Sequence, residues 1–370
     1  MILLAKTLEG LEDVLAQEIT KLGGENIKKL KRAVSFEGDK ELMYKANIML
    51  RTALRILVIK KEFTAKNENH LYSIMYDIPW ENIMSLKDTF AVDATTSGEI
   101  FTHSKYTSLR CKDAIVDRFR DLTGKRPNVN VVNPTYRINI HIRNNRATLS
   151  LDSSGGSLHM RGYRLNTIEA PINEVLAAGL LSMTGWKGDV PLVDPMCGSG
   201  TILIEAARMA LNHPTQKEER EFSFKRWRSY DRALYTSVYK AMTENIKTHE
   251  IKIIGQDKSL RGIKVTQQNI EEAGLQDSIK VLKKDFFKFH KRDKFLMITN
   301  PPYDQRLKER DIEKFYFDMG EKIKRELPEC EPWIFSAAID ALYKVDMQRS
   351  QTFTLMNGGL LAKLINYDNS

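Results

Sequence analysis

The sequence predicts an α/β domain built on a parallel sheet, preceded by two small α+β units. Three observations support this fold class. From about residue 165, short apolar strands alternate with amphipathic helices, as in a parallel sheet with helices on both faces. The last 20 residues hold two apolar runs around Asn357-Gly358, which predicts a hairpin and an antiparallel last strand. Before residue 165 the order of strands and helices predicts two small α+β units, and we find no catalytic combination in either.

Composition limits the class of protein. The chain has 370 residues, 42% hydrophobic and 28% charged, as expected of a globular protein with two or three domains. We find no apolar run of about 18 residues and no secretory signal, so we expect a cytoplasmic protein without a membrane span. The three cysteines and seven histidines have no ligand spacing, so we expect neither disulfides nor a metal site.

The charge is unevenly distributed. Residues 1–165 hold 26 Lys and Arg against 19 Asp and Glu, a net charge of +7. Residues 166–370 hold 31 against 29, a net of +2. A basic front half suits a polyanionic partner such as a nucleic acid, although an ordinary lysine-rich surface gives the same count.

The front half divides into units at 1–62 and 63–155. In the first we predict strands at 2–7, 33–38 and 53–63 and helices at 9–22 and 39–50, the second capped by Asp39. In the second unit we predict a strand at 89–96, a hairpin at 136–152, a helix at 71–84 that is broken near Pro79, and a helix at 108–124. Ser108 is the expected cap of the last helix, Gly124 its end, and Asn144-Asn145 the hairpin turn.

A glycine- and serine-rich stretch, 153–164, is the predicted linker to the third domain, 156–370. That domain should open with a helix at 171–185, with Pro171 in its first turn. Residues 212–250 interrupt the strand–helix alternation and contain the segment EFSFKRWRSYD. Its rings could stack on bases, or Phe222, Phe224 and Trp227 could pack as a cap over the sheet edge, the interpretation we favour.

The segment DPMCGSGT, residues 194–201, lies where the first strand of this domain turns into a helix. Ligands bind at the carboxyl ends of strands in such sheets. Gly198 and Gly200 would let a ligand approach the backbone, and the following helix N-terminus favours a negative group. The segment is neither the full dinucleotide-binding pattern nor a phosphate-binding loop with lysine, which argues against nicotinamide cofactors and ATP.

Polar acceptors end four successive predicted strands: Asp194, Asp257, Asp285 and Asn300. A carboxylate at the position of Asp257 can accept both hydroxyls of a ribose, and Asp285 could accept from an adenine amine. Each alone could be a helix cap. Together they predict a nucleoside site.

The segments VDPMCGSGT and TNPPYDQRL resemble those of class I S-adenosylmethionine-dependent methyltransferases that modify exocyclic amines. With RGYR, APINE and FSFKRW, the order of segments resembles that of bacterial THUMP-domain methyltransferases of large-subunit ribosomal RNA. Many of these carry the label N6-adenine-specific DNA methylase, and their better-studied members make N2-methylguanosine. The resemblance covers nearly the whole chain, but not the second methyltransferase domain of the long fused members.

The resemblance implies a Rossmann-like methyltransferase domain that follows ferredoxin-like and THUMP units in the chain, and it implies that these two units bind RNA. It implies S-adenosyl-L-methionine as the cofactor, S-adenosyl-L-homocysteine as the product, and large-subunit rRNA or an assembly intermediate as the partner. The cofactor would be held by the residues Ala170, Pro171, Asn173, Glu174, Asp194, Pro195, Cys197, Gly198, Gly200, Thr201, Asp257, Asp285, Phe286 and Asn300. The catalytic residues would be Asn300, Pro301, Pro302 and Tyr303.

The residue types of the NPPY segment suit this chemistry. The lone pair of a base amine is delocalised into its ring, so the amine is a poor nucleophile. The Asn300 side chain and the Pro301 carbonyl can accept its two hydrogens and stabilise the positive charge that grows during attack. Two prolines fix these acceptors in place, and Tyr303 can stack on a base that has left its helix.

The identity of the amine stays open, because adenine N6, guanine N2, cytosine N4 and a glutamine amide all suit such a motif. Methylation of a pyrimidine carbon would need a nucleophilic cysteine, which this segment lacks. The tetrapeptide DQRL after the tyrosine replaces the expected Gly-Glu-Arg-Leu. An rRNA guanine methyltransferase is the main hypothesis. A tRNA guanine methyltransferase, a DNA adenine methyltransferase and an inactive RNA-binding protein are its rivals.

Overall fold

The computed structural model describes residues 1–165, 171–248, 250–302 and 309–369, with only the backbone for residues 309 and 310. These residues form two sheets. The front sheet has eight strands in the order β2-β3-β1-β4-β8-β7-β5-β6. Its strands are β1 (Ile2–Lys6), β2 (Glu25–Leu30), β3 (Ala33–Glu37), β4 (Arg55–Thr64), β5 (Thr89–Ser97), β6 (Asn128–Val129), β7 (Tyr136–Arg143) and β8 (Arg146–Asp152). Its helices are α1 (Glu12–Lys21), α2 (Lys40–Met49), α3 (Glu68–Asp77) and α4 (Ser104–Thr123).

One sheet joins the two front units, because β4 pairs with both β1 and β8. The predicted boundary at residue 62 therefore lies within β4. The Asp39 cap is confirmed, since its carboxylate accepts from the Leu42 amide at 2.8 Å. The hairpin turn is also confirmed, with Asn144 at φ +56°.

Two details of the front half differ from the prediction. Strand β2 was not expected, because its sequence ENIKKL lies at the sheet edge and its exposed residues give no alternating apolar signal. Ser108 is not a cap: α4 begins one turn earlier, and the Ser108 hydroxyl donates to the Lys105 carbonyl within the helix. Gly124 ends α4 in the left-handed conformation, as predicted.

The rear sheet has seven strands in the order β11-β10-β9-β12-β13-β15-β14. They are β9 (Leu192–Asp194), β10 (Ile253–Asp257), β11 (Ile279–Lys283), β12 (Phe295–Thr299), β13 (Cys330–Ser336), β14 (Arg349–Asn357) and β15 (Leu360–Tyr367). The first five in this order are parallel to one another, and β15 pairs antiparallel with both β13 and β14, as the hairpin signal predicts. The helices are α5 (Glu174–Thr184), α6 (Thr201–Ala210), α7 (Arg232–Glu244), α8 (Leu260–Glu272), α9 (Glu309–Glu326) and α10 (Ile339–Leu342).

The N-terminus of α5 differs from the prediction. The helix begins at Glu174, and Asn173 caps it by accepting from the Val175 amide at 2.9 Å. Pro171 therefore precedes the helix instead of lying in its first turn.

The predicted linker is packed between the two halves. Arg161 and Glu205 of α6 are fully buried and 3.7 Å apart, and the Tyr163 hydroxyl donates to Glu205 at 3.0 Å. Arg161 also donates to the carbonyl of Arg51 in the front half. Since a buried ion pair tolerates little displacement, this segment fixes the two halves together.

The rings of the insertion are buried, but not over the edge of the rear sheet. They belong to the core of the front half, where Phe224 lies 4.7 Å from the Tyr44 ring and Trp227 stacks on Tyr136 at 5.9 Å. The prediction that Phe222, Phe224 and Trp227 pack in the protein interior is confirmed. The predicted location, a cap over the sheet edge, is wrong. These rings contribute to the apolar core and do not face a nucleic acid.

Across the described ranges, we find no helix that combines the length and apolar character needed to cross a membrane.

Candidate functional site

The carboxyl ends of the parallel strands surround a cavity of about 790 Å³. Because β9, β10, β11 and β12 run in one direction, the four polar residues predicted to follow them meet at one edge of the sheet. Of the residues singled out in the sequence, those lining the cavity are Pro171, Asp194, Pro195, Cys197, Gly198, Thr201, Asp257, Asp285, Phe286, Asn300, Pro301 and Pro302. Ala170 and Tyr303 lie outside the described residues, as do residues 304–307.

The loop between β9 and α6 is folded tightly against β10. The Cys197 amide donates to the Gln256 carbonyl at 2.8 Å, and the Gly198 amide donates to the Asp257 carboxylate at 3.1 Å. Gly198 and Gly200 have φ values of +57° and +78°. A Cβ on Gly200 would lie 2.7 Å from Cγ2 of Thr266, so glycine is required there for packing as well as for backbone conformation.

Asp257 is fixed before any ligand binds. One of its carboxylate oxygens accepts from the Gly198 amide, and the other accepts from the Ser259 amide at 2.7 Å. Gly262 allows this close approach, since a Cβ there would lie 3.2 Å from Cγ of Asp257. Each carboxylate oxygen retains a further lone pair, so the group can also accept two hydroxyls from the cavity.

Asp194 lies at the deepest part of this edge and is 2% exposed. Its carboxylate accepts from the Met196 amide at 3.1 Å. Burial raises its pKa to about 7, and the negative charge of Asp257 contributes in the same direction. The site therefore holds a carboxyl group that ionises close to neutral pH.

Aromatic rings form another wall of the cavity. The Asp285 side chain accepts from the Phe287 amide at 2.9 Å, which orients the short turn containing buried Phe286. The Phe287 ring lies edge-on to Phe286 at 5.3 Å and to Phe315 of α9 at 5.6 Å. These flat apolar surfaces suit the face of a heterocyclic ring.

At the end of β12, Asn300 presents an acceptor that is not satisfied within the described part of the chain. Its Oδ1 atom is buried and has no hydrogen-bond partner there. Pro301 is buried directly after it, and Pro301 and Pro302 both line the cavity. A buried acceptor without a donor costs about 1–3 kcal/mol, so this arrangement suits an N–H group supplied by a ligand.

Three residues predicted to contact a cofactor lie behind the cavity wall. Asn173 caps α5 and Gly200 caps α6. The Glu174 carboxylate is buried 3.0 Å from the Arg164 guanidinium. Burial raises the pKa of Glu174, and the Arg164 charge opposes that rise. Since Arg164 donates to the Thr201 hydroxyl and to the Ile172 carbonyl, the pair supports residues that do line the cavity.

Cys197 provides no nucleophile. Its thiol is buried, 3.8 Å from the Thr266 hydroxyl, and burial raises its pKa well above the usual range. Cys111 and Cys330 are also buried and unpaired. Among the residues that the structure describes, no three His, Cys, Asp or Glu side chains cluster as metal ligands do.

Sequence reasoning missed several cavity residues: Met196, Lys258, Arg261, Phe287, Phe315, Asn357, Gly358 and Leu360. The basic residues and Phe287 flank predicted site residues, so proximity to the motifs was an available signal. Phe315 and the β14–β15 hairpin tip belong to no motif. They reach the site only through the tertiary fold.

The fold and the polar and aromatic lining of the site define a class I methyltransferase that uses S-adenosylmethionine. The chain belongs to the family described as RMKL-like, methyltransferase domain, whose model matches residues 161–364. A THUMP domain model matches residues 65–152, and an RlmL ferredoxin-like domain model matches residues 2–57. The predicted fold class, family resemblance and cofactor are confirmed.

Two relatives show how far the similarity extends. The chain is 34% identical to a Synechocystis sp. protein provisionally named as an RNA methyltransferase, over 98% of this chain and 96% of the relative. It is also 34% identical to the ribosomal RNA large subunit methyltransferase K/L of Buchnera aphidicola, over 99% of this chain and 54% of the relative. The chain thus spans about half the length of the K/L relatives.

Solved structures agree along the whole chain. A protein provisionally named as a methyltransferase, SMU.472, crystallised with S-adenosylhomocysteine, is 29% identical, with a TM-score of 0.90 over 100% of this chain and 98% of that one. A Listeria monocytogenes protein, named as a predicted N6-adenine-specific DNA methylase, is 28% identical. Its TM-score is 0.90 over 100% of this chain and 96% of the Listeria chain.

Proposed function

We propose that this protein transfers a methyl group to an exocyclic base amine of RNA, most specifically to guanine N2 of large-subunit rRNA. The observation that carries the proposal is the buried, unsatisfied Oδ1 atom of Asn300 in the same cavity as Asp194 and Asp257. It combines an acceptor for an amine hydrogen with carboxylates suited to a nucleoside cofactor.

The residues present fit S-adenosylmethionine, which supplies an electrophilic methyl group when bound. Asp257 would accept the ribose hydroxyls, and its two backbone donors fix the carboxylate for that task. Asp285 and Phe286 would hold the adenine. Asp194, with Gly198 and the neighbouring loop backbone, would hold the methionine end, where an ionised Asp194 attracts the cofactor's ammonium group.

Asn300 and Pro301 act on the target amine. Their oxygens accept its two hydrogens, which favours a pyramidal nitrogen with its lone pair directed at the methyl group. As the nitrogen becomes positive, both dipoles are already oriented to stabilise it, so little reorganisation is needed. Pro302 stiffens the segment, and Tyr303 would stack on the base. The amine needs no base before attack, because its proton can leave afterwards.

The choice of RNA rests on relationship and on charge. The K/L relatives are named for large-subunit rRNA, and the front half has a net charge of +7 and a THUMP match. We propose that units 1–62 and 63–155 grip the RNA and that 156–370 carries out the transfer. Adenine N6 in DNA is the second candidate, because a full-length structural neighbour carries that label.

The test is methyl transfer from labelled S-adenosylmethionine to three substrates in parallel. These are large-subunit rRNA from a strain that lacks this protein, bulk tRNA, and duplex DNA, each digested to nucleosides afterwards. Label in N2-methylguanosine from rRNA alone is the expected result. Label in N6-methyladenine from DNA would contradict the proposed substrate but agree with the proposed methylation of an exocyclic amine. Label in tRNA alone would show that tRNA, and not rRNA, is the substrate. No label in any substrate would contradict the proposal as a whole.

A further inference from the structure

A strongly basic segment in the rear domain is hidden by the near-neutral charge of that half. Residues 280–294 hold seven Lys and Arg against two Asp, a net charge of +5, whereas residues 166–370 together carry only +2. The rest of the rear half is therefore acidic. A local excess of this size concentrates any attraction for a polyanion on one face.

The cations of this segment are exposed and mostly unpaired. In the described part of the chain, Lys291 pairs with Asp293, but five exposed neighbours have no acid within salt-bridge distance. Two further exposed cations, Lys258 and Arg261, line the cavity itself. We call these seven the β11 basic surface: Lys258, Arg261, Lys280, Lys283, Lys288, Arg292 and Lys294.

This surface is continuous with the cavity. In the register of the β10–β11 ladder, Lys283 lies opposite Asp257, and the Lys284 amide donates to the Asp257 carbonyl at 3.0 Å. Asp285, Phe286 and Phe287 line the cavity between Lys283 and Lys288. Strand β12, which ends at the target acceptor, is three strands from β11, or about 14 Å at the usual strand spacing.

Protection of an exposed strand edge is the competing explanation, because lysines on edge strands discourage pairing with other chains. It accounts for Lys280 and Lys283, which lie on edge strand β11. It does not account for Lys288, Arg292 and Lys294, which follow the strand, nor for Lys258 and Arg261 beside β10 and on α8. Exposed cations around the mouth of the cavity suit the phosphates of a strand that delivers its base to Asn300, while the aromatic wall remains for the cofactor's adenine.

We infer that the β11 basic surface binds the phosphate backbone of the RNA next to the target nucleotide. This inference rests on the proposed function, in which RNA is the substrate. It adds a contact within the methyltransferase domain itself to the RNA grip proposed for the front half. Lys283, Lys288 and Arg292, which lie outside the cavity lining, would then position the strand and contribute to the RNA KM, with no part in holding the cofactor.

The test is the variant Lys283→Gln/Lys288→Gln/Arg292→Gln, assayed as the full chain with large-subunit rRNA. We expect the RNA KM to rise about tenfold near physiological salt, and the slope of log KM against log salt to fall by about 2. The kcat and the cofactor Kd should stay within twofold. The matched control is Lys187→Gln/Lys247→Gln/Lys252→Gln, which removes three exposed lysines that have no described acid within salt-bridge distance and that lie in the segments leading into β9 and β10. It should leave KM within twofold.

A KM within twofold of the native value in the first variant would overturn the inference, as would an equal loss in the control. Aggregation of the variant with unchanged KM would assign the lysines to edge protection and also overturn it. Binding of a fluorescein-labelled 20-nucleotide poly(U) gives a readout independent of catalysis. If the native protein methylates no RNA but the variant alone loses this binding, the proposed reaction fails and the surface stands.

Discussion

The two ends of the cavity differ in how far their polar groups are already satisfied. At the end proposed to bind the cofactor, here called the cofactor end, Asp194, Asp257 and Asp285 each accept at least one backbone hydrogen bond. At the end proposed to bind the target amine, here called the target end, Asn300 Oδ1 has no donor among the described residues. The first arrangement suits a ground-state ligand bound in a fixed pose. The second leaves an acceptor for a group that arrives with the substrate, and its interaction strengthens as that group becomes charged.

The largest effect on cofactor affinity should follow removal of the Asp257 carboxylate, the proposed ribose acceptor. Asp257→Ala deletes this carboxylate and leaves the Gly198 and Ser259 amides without their partner. We expect the cofactor Kd to rise about 100-fold, because hydrogen bonds to a charged group contribute about 1.5–3 kcal/mol. The measurement is calorimetric titration with S-adenosylhomocysteine. Asp257→Asn keeps one acceptor oxygen, so its cofactor Kd should lie between those of the native protein and of Asp257→Ala. An unchanged Kd in Asp257→Ala would contradict a role for Asp257 in cofactor binding.

The packing of the cofactor loop can be separated from its backbone conformation. Gly200→Ala adds a Cβ only 2.7 Å from Thr266 Cγ2 at φ +78°, and we expect it to lower the free energy of unfolding by about 2 kcal/mol. Gly124→Ala is the matched control, since Gly124 has φ +68° and open space around it. It should cost only about 1 kcal/mol. Equal losses in urea denaturation would show that contact with α8 does not shape the loop.

The buried carboxyl predicts a pH dependence confined to the cofactor end. The folded-state pKa of Asp194 is raised to about 7, so the group gains a proton as the pH falls below 7. Because the ionised form would attract the cofactor's ammonium group, we expect the Kd to rise about tenfold for each pH unit below 7 and to level off above it. In Asp194→Asn this dependence should disappear. A native Kd that is flat between pH 5.5 and 8 would contradict the assignment.

The same shift has a consequence for stability. A carboxyl whose folded-state pKa exceeds its unfolded value stabilises the protein fully below that unfolded pKa, which is 3.8 for an unperturbed aspartate. That contribution is lost as the pH rises through about 7. Without cofactor, Asp194→Asn should therefore be more stable than the native protein at pH 8, and thermal unfolding at pH 8 and pH 5 measures the difference.

The smallest effect is expected at the cysteine of the loop. Its thiol is buried, packs near Thr266 and has a pKa well above the usual range, so it cannot attack a base. Cys197→Ala should retain methyl transfer within about threefold at saturating substrates. Loss of activity in this variant without loss of cofactor binding would indicate that the Cys197 thiol forms a covalent bond to the base. That result would contradict the mechanism proposed for Asn300 and the target amine.

The sequence predicted the parts of this molecule that depend on local signals. Strand–helix alternation, the Asn357-Gly358 turn and the motifs at strand ends were sufficient for the rear sheet and for 12 of the 25 residues that line the cavity. Local signals failed where long-range packing decided the outcome. Phe222 and Trp227 joined the core of the front half, and Phe315 reached the cavity from α9 without any motif.

Other differences have the same origin. The segment around Arg161 is rich in glycine and serine, which suggested a linker, but its charges are buried between the halves. Glu174 was predicted to hold the cofactor through the family resemblance, and local signals gave no indication that it pairs with Arg164. The half-chain charge of +2 concealed the β11 basic surface, because acidic residues elsewhere in the rear half offset it.

The division between the two ends of the cavity is tested most directly at Asn300. The measurement is the single-turnover rate of methyl transfer by Asn300→Ala, together with its cofactor Kd, on one preparation. The account predicts that the rate falls about 100- to 1000-fold, the usual loss for one stabilising dipole at a reacting centre, while the Kd stays within twofold. A Kd that weakens as much as the rate, or a rate within threefold of the native value, would contradict it.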